Sequence, residues 1–223
     1  MAHEIKLNYQ NTTMRKTKAE ALKTREDLLL SALHTFYQQG VARTSLNEIA
    51  RNAGVTRGAL YWHFKNKEDL FDALFQMIFK DIDEKFEHDF HHTLHPKANL
   101  RQALINMFER LQDDEHHRKF CNILHLKCEH VQQNQSIIHI SQKYYDMWEE
   151  QLRRSLRLCI QYGELPADLD LEMATLSMRI CIKGLMHTWL YHGFDLSQIA
   201  PRFIDIALDT LNTHTALRQI QTS

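Results

Sequence analysis

Six glycines and three prolines in 223 residues leave few places where this chain can turn sharply. A β-sandwich or barrel needs many turn residues, and a doubly wound α/β sheet wants glycine at its strand–helix junctions. Neither supply exists here, so the chain reads as mostly helix. Hydrophobic residues make up 43%, enough for a sizeable buried core in one or two domains. The charged fraction of 25% is ordinary for a globular protein and argues against wholesale disorder.

Several function classes drop out early. The cysteines at 121, 128, 159 and 181 form no CxxC pair and are too sparse for a disulfide scaffold. No apolar run reaches the roughly 18 residues that span a bilayer. The first residues are polar and basic, unlike a secretory signal, so a cytoplasmic, reducing setting without membrane contact is expected. No GxSxG, phosphate-binding glycine loop or HExxH occurs, and no cofactor is expected. Cys121 and His125 stand four apart on one helix, but nothing marks a third orienting group or an oxyanion site, so an enzyme is not expected.

The net charge of −1 hides an asymmetry. Residues 1–67 carry 11 Lys and Arg against 5 Asp and Glu, while the remainder carries 16 against 23. A basic end on an otherwise acidic chain suggests a nucleic-acid contact there.

Residues 1–17 lack apolar periodicity, so residues 1–14 read as a flexible arm, with Met14 an alternative start. From Ala21, the apolar residues Leu22, Leu29, Leu33 and Phe36 keep a helical period, and Gly40 lies just past the end. Ser45, with Glu48 three residues on, fits a capping box, and Leu46, Ile49, Ala50 and Ala53 then form one stripe. After Gly54, Thr56 caps a helix running to about Phe64, with Val55 and Leu60 at the staple positions. Asn66 caps a fourth helix carrying Leu70, Leu74, Ile78 and Ile82. Two short helices joined by a glycine-containing turn make a helix-turn-helix signature. Beyond Pro96 the pattern is plain helix: 100–111, about 120–128, 137–162, 170–192 and 199–213.

The 56–64 helix has an unusual outer face. Measured from Leu60, Gly58 lies at about 160°, Trp62 about 200°, Tyr61 about 100° and Ala59 about 260°. Two large rings beside two very small residues suit a helix that enters a groove, the competing reading being that the rings are core. Gly58 and Ala59 permit close approach to base edges and thymine methyls. Tyr61 can donate to a phosphate, and Arg57 can reach a guanine edge or a phosphate. His63, Lys65 and Lys67 cluster where the backbone would pass, Lys67 at a helix N-terminus; Thr44 and Ser45 sit at another.

The runs Thr44-Ser45-Leu46-Asn47-Glu48-Ile49-Ala50 and Ala53-Gly54-Val55-Thr56-Arg57-Gly58-Ala59-Leu60-Tyr61-Trp62-His63-Phe64-Lys65-Asn66-Lys67 closely resemble the signature of the tetracycline-repressor (TetR) family. The opening Arg15-Lys16-Thr17-Lys18-Ala19-Glu20 and the stretch Ile123–His130 look like its AcrR/MtrR branch, which represses multidrug efflux genes. The resemblance implies an all-α protein. A three-helix DNA-binding domain, here residues 15–66, would precede a helical ligand-binding and dimerisation domain, here 67–215, and a tail, 216–223. It implies a homodimer paired through the last two helices, a near-palindromic double-stranded operator, and release by a hydrophobic or amphipathic small molecule. The family's DNA-contact positions fall here on Thr44, Thr56, Arg57, Gly58, Ala59, Tyr61, Trp62, His63 and Lys67.

Polar or aromatic residues on the apolar C-terminal helices are candidates for lining a ligand cavity. Tyr144 and Trp148 share a face, Arg179, Lys183 and His187 are spaced four apart, and Met107, Phe108 and Cys121 offer adaptable surface. Fifteen histidines leave a second reading open, a metal-responsive regulator using His88, His91, His92 and His95, or His125, Cys128 and His130.

Overall fold

Short-range capping decides where the N-terminal helices begin. In the computed structural model, which describes residues 2–90, 95–127 and 135–219, with side chains for 18–78, 95–127 and 135–219, α1 spans Ala2–Gln39, α2 Leu46–Asn52 and α3 Arg57–His63. Ser45 accepts from the Glu48 amide at 3.3 Å and Thr56 from the Ala59 amide at 3.2 Å, each satisfying an amide that the first helical turn leaves unpaired. Asn66 does the same for Asp69 at 2.8 Å and starts α4, Lys67–Phe90.

Between α2 and α3, Gly54 adopts φ +69°, and the Val55 amide folds back to the Ala50 carbonyl at 3.0 Å. A side chain at that φ would cost about 1–2 kcal/mol, so glycine makes the tight turn inexpensive. The α1 backbone runs through residues 2–14, where the sequence suggested an arm; that stretch holds no glycine or proline to interrupt a helix. Leu22, placed on the apolar stripe by its period, is 61% exposed because the N-terminal core begins nearly two turns later, at Leu28.

The remaining helices are α5 Pro96–Asp113, α6 Glu115–Asn122, α7 Gln135–Gln161, α8 Leu171–His192 and α9 Leu196–Thr213. A π-helical turn, Ile123–Lys127, continues α6. No β-strand occurs among the described residues, and no helix there is long and apolar enough to cross a membrane.

Two apolar cores result. The N-terminal one joins Leu28, Leu33 and Phe36 of α1 to Ile49, Leu60 and Phe64, then to Leu70, Phe71, Leu74 and Phe75 of α4. It also takes in Phe120, Ile123 and Ile137, so the head is anchored in the body. The ring contacts Phe36–Phe71 (5.8 Å), Phe71–Phe75 (5.5 Å) and Phe75–Phe120 (4.6 Å) run along this seam. Each fully buried ring contributes about 1.5–3 kcal/mol of apolar burial. The second core packs α5, α8 and α9 around Leu104, Phe108, Met178, Ile182, Ile204 and Leu208.

Candidate nucleic-acid interface and ligand chamber

Because Leu60 and Phe64 bury one side of α3, the opposite side must face outward. Tyr61 is 44% and Trp62 74% exposed, so the two rings are not core. The Arg57 guanidinium lies 5.3 Å from the Tyr61 ring centre, and Trp62 meets His63 edge-on at 4.6 Å. Gly58 sits among them with ordinary helical φ. A Cβ built there would meet nothing closer than the Thr56 hydroxyl at 3.9 Å. The fold would therefore accept alanine, a better helix former by about 1 kcal/mol. The missing side chain leaves room for something outside the protein.

Ser45, Thr56, Arg57 and Lys65 are exposed, Ala59 partly so. Burial, and then the Arg25 charge, hold His63 below its ordinary pKa, so its ring stays neutral near pH 7. Arg25, which sequence reasoning did not single out, reaches over Phe64 at 5.2 Å and adds a cation beside α3.

Two expected positions differ. Thr44 is buried, its hydroxyl donating to the Gly40 carbonyl at 2.7 Å, because it closes the loop between α1 and α2. Lys67 turns inward: its ammonium donates to the Val41 carbonyl at 2.9 Å and the Thr44 carbonyl at 3.3 Å. Desolvation lowers its pKa, as expected of a half-buried ammonium. Lys67 thus braces the start of α4 against the loop that positions α2.

In the body, α4, α5, α6 with its π-turn, α7 and α8 enclose a chamber of about 480 Å³, within the usual range for small-molecule sites. Of the sequence candidates, Met107, Cys121, Tyr144, Trp148 and Lys183 line it. Phe108 does not: one residue on from Met107, it rotates by about 100° into the second core. Arg179 is instead paired with Glu149 of α7. His187 is exposed and packs against Tyr191 at 5.0 Å, since two steps of four residues drift by about 80° round a helix.

Phe75 and Gln76 of α4, together with His117, His125 and Tyr145, also line the chamber. Tyr144 stacks on Phe75 at 4.3 Å, with the rings 4° from parallel, and donates to Asp72 at 2.9 Å. Burial, followed by this carboxylate, pushes the Tyr144 hydroxyl up to about 12. Burial pushes the Cys121 thiol up to about 12, so it behaves as an apolar wall. Desolvation lowers His117 and His125 to about 4, the latter helped by Lys183 and His187. Both rings are neutral near pH 7.

Among the described residues no group of three His, Cys, Asp or Glu side chains is placed to hold a metal ion. His88, His91, His92, Cys128 and His130 lie outside the described side chains. His95 faces the Glu164 carboxylate at 3.3 Å, and His125 belongs to the chamber.

Residues 28–74 match the model of bacterial regulatory proteins of the tetR family, and residues 95–213 that of the C-terminal region of MAATS-type transcriptional repressors. The chain belongs to the TetR family. It is 38% identical to the transcriptional regulator AcrR of Shigella flexneri over 199 residues, covering 87% of this chain and 92% of that one. It is 34% identical to TtgR of Pseudomonas putida over 209 residues, covering 92% and 100%. Among solved TetR-like structures, the SmeT–triclosan complex superposes with a TM-score of 0.78 at 28% identity, covering 86% of this chain and 93% of that one. SmeT is the repressor of the Stenotrophomonas maltophilia multidrug efflux pump SmeDEF. This TetR-family chain is thus all-α, with a DNA-binding head and a helical regulatory body.

Proposed function

We propose that the protein is a cytoplasmic, homodimeric repressor, not an enzyme, which binds a near-palindromic operator of a multidrug efflux operon. A hydrophobic or amphipathic molecule entering the chamber releases it. The outward pair Tyr61 and Trp62 beside an uncrowded Gly58 carries this reading, because a solvated helix has no use for that face. Arg57, Gly58, Ala59, Tyr61 and Trp62 meet the major groove, while Ser45, Thr56, His63 and Lys65 meet the flanking backbone. Thr44 and Lys67 act one step behind, holding α2 and α4 in register.

The dimer forms through α8 and α9. Support comes from an exposed apolar face made of Leu176, Ile180 and Tyr191 on α8 and Phe203 and Ile206 on α9. A patch of this kind on a soluble protein marks an association surface. The efflux operon and the small-molecule inducer rest on relatives such as SmeT, which represses an efflux pump and is seen with triclosan.

Selection of random duplexes by the purified protein tests the reading. The recovered DNA should carry two inverted half-sites about 10 base pairs apart, or a multiple of that spacing. Affinity should fall steeply with salt, and triclosan should release the duplex. Absence of any enriched palindrome refutes the reading.

A further inference from the structure

We propose that the chamber selects amphiphiles bearing a single negative charge, such as carboxylates or phenolates, with the charged head at Lys183 and the tail against Met107, Cys121, Trp148 and Ile182. This rests on the ligand-responsive reading above and adds the sign of the ligand's charge.

Among the described residues no Asp or Glu lines the chamber, whereas Lys183 from α8 and Lys143 from α7 both do. Lys183 is half-buried, and among the described residues no carboxylate pairs with it within ion-pair distance. Its ammonium instead lies 4.1 Å from the Tyr145 ring centre. The nearby carboxylates of the described residues are occupied. Glu149 of α7 holds Arg179 and also Arg153, the latter at 3.2 Å. Asp72 of α4 accepts from Tyr144 at 2.9 Å and from Gln76 at 2.8 Å.

The other titratable groups facing Lys183 are Arg179, His125 and His187, none of which supplies a negative charge. Desolvation and then Arg179 hold the Lys183 ammonium below its ordinary pKa against the smaller opposing pull of Glu149, so an arriving anion relieves an existing cost. A lipophilic cation meets the reverse situation. It finds no carboxylate among the described residues, and the Tyr145 ring, which could receive it by cation–π contact, is already in contact with the protein's own ammonium. The neutral His117 and His125 rings and the Gln151 amide add polar groups to an otherwise largely apolar wall.

The test is calorimetry on the full-length protein with three probes sharing a ten-carbon tail: decanoate, 1-decanol and decyltrimethylammonium, all below micellar concentration. Decanoate should bind roughly ten- to a hundredfold more tightly than the cation, the span of one hydrogen bond to a charged group. Lys183→Gln should remove most of that preference by weakening decanoate while leaving decanol unchanged, and Lys183→Arg should retain it. Thermal melting checks that the glutamine variant folds; if it does not, the arginine variant and the three-probe ranking decide. Equal binding of cation and anion, or an undiminished preference in Lys183→Gln, overturns the proposal. So does a protein that binds triclosan and operator but not decanoate, which leaves the repressor reading intact. Decanoate that binds with the stated preference yet fails to release the operator upholds the charge selection and counts against the ligand-release reading.

Discussion

Replacing Lys67 by methionine separates a residue that touches DNA from one that shapes the surface touching it. Its ammonium makes two charge-assisted bonds, at 2.9 Å and 3.3 Å, to carbonyls of the loop before α2. Methionine keeps the stem's bulk but leaves both carbonyls without their donor. A hydrogen bond to a charged group contributes about 1.5–3 kcal/mol. Lys67 is only half-buried, so water recovers part of that loss, and about 2–3 kcal/mol of stability should go. For a chain of this size that is a fall of about 5–10 °C in the melting temperature, read by circular dichroism. Operator affinity should drop as well, because α2 and α3 lose their brace, but the salt dependence should hardly change. Were Lys67 a phosphate contact, each protomer would lose about 0.9 from the slope of log K against log salt, close to two for the dimer. An unchanged melting temperature with a slope shallower by about two would refute the bracing role.

Gly58→Ala should stabilise the fold slightly, by up to about 1 kcal/mol, yet weaken operator binding, since the fold has room for the methyl and the groove does not; urea titration and gel shift together check it, and unweakened binding would remove the reason for glycine there. His117 is buried and neutral, its pKa lowered from 6.5 to about 4. The unfolded chain takes up its proton as pH falls through 6.5 while the folded chain resists until about 4. Stability is therefore full above 6.5 and is lost between 6.5 and 4, with about 2 kcal/mol gone at pH 5. His117→Gln should flatten that part of the stability–pH curve, and superimposable curves would contradict the assignment. Ile180→Glu puts a charge in the middle of the exposed α8 face and should shift sedimentation from dimer to monomer without unfolding the protomer; a persistent dimer would place the interface elsewhere.

What the sequence made legible is whatever acts across four residues or fewer. Ser45, Thr56 and Asn66 cap helices through partners three residues away, and Gly54 turns the chain through its own φ. The outward direction of Tyr61 and Trp62 follows from helical geometry once Leu60 faces the core. Long-range partners were hidden. The carbonyls that hold Lys67 lie 26 and 23 residues upstream, and no local pattern announces them. Phe75, beside the stripe residue Leu74, carries no local mark, yet Tyr144, far along the chain, stacks on it and makes it a chamber wall. Met107 and Phe108 are equally apolar and adjacent, and only the packing of α5 decides which one faces the cavity. The π-helical turn at Ile123–Lys127 has no breaker residue to signal it.

The chamber and the DNA-facing head share a helix, which supplies a physical route for release. On α4, Lys67 and Phe75 are eight residues apart, about 12 Å along the axis. At one end α4 braces the loop before α2, and at the other it presents Phe75 and Gln76 to the chamber. A molecule wedged against the Phe75–Tyr144 stack would press on α4, because Phe75 also belongs to the N-terminal core and abuts Phe120 at 4.6 Å. A second strut runs in parallel: the π-turn places Leu124 and His125 in the chamber wall, while Lys127 donates to the Tyr37 carbonyl near the end of α1. The energies are adequate without any unfolding. An aromatic stack is worth about 0.5–1.5 kcal/mol and a hydrogen bond to a carboxylate about 1.5–3 kcal/mol, together enough to cover the 1–3 kcal/mol typical of coupled sites. A ligand that fills the chamber while sparing the stack and the Tyr144–Asp72 bond would bind both conformers equally and, however tight, release no DNA.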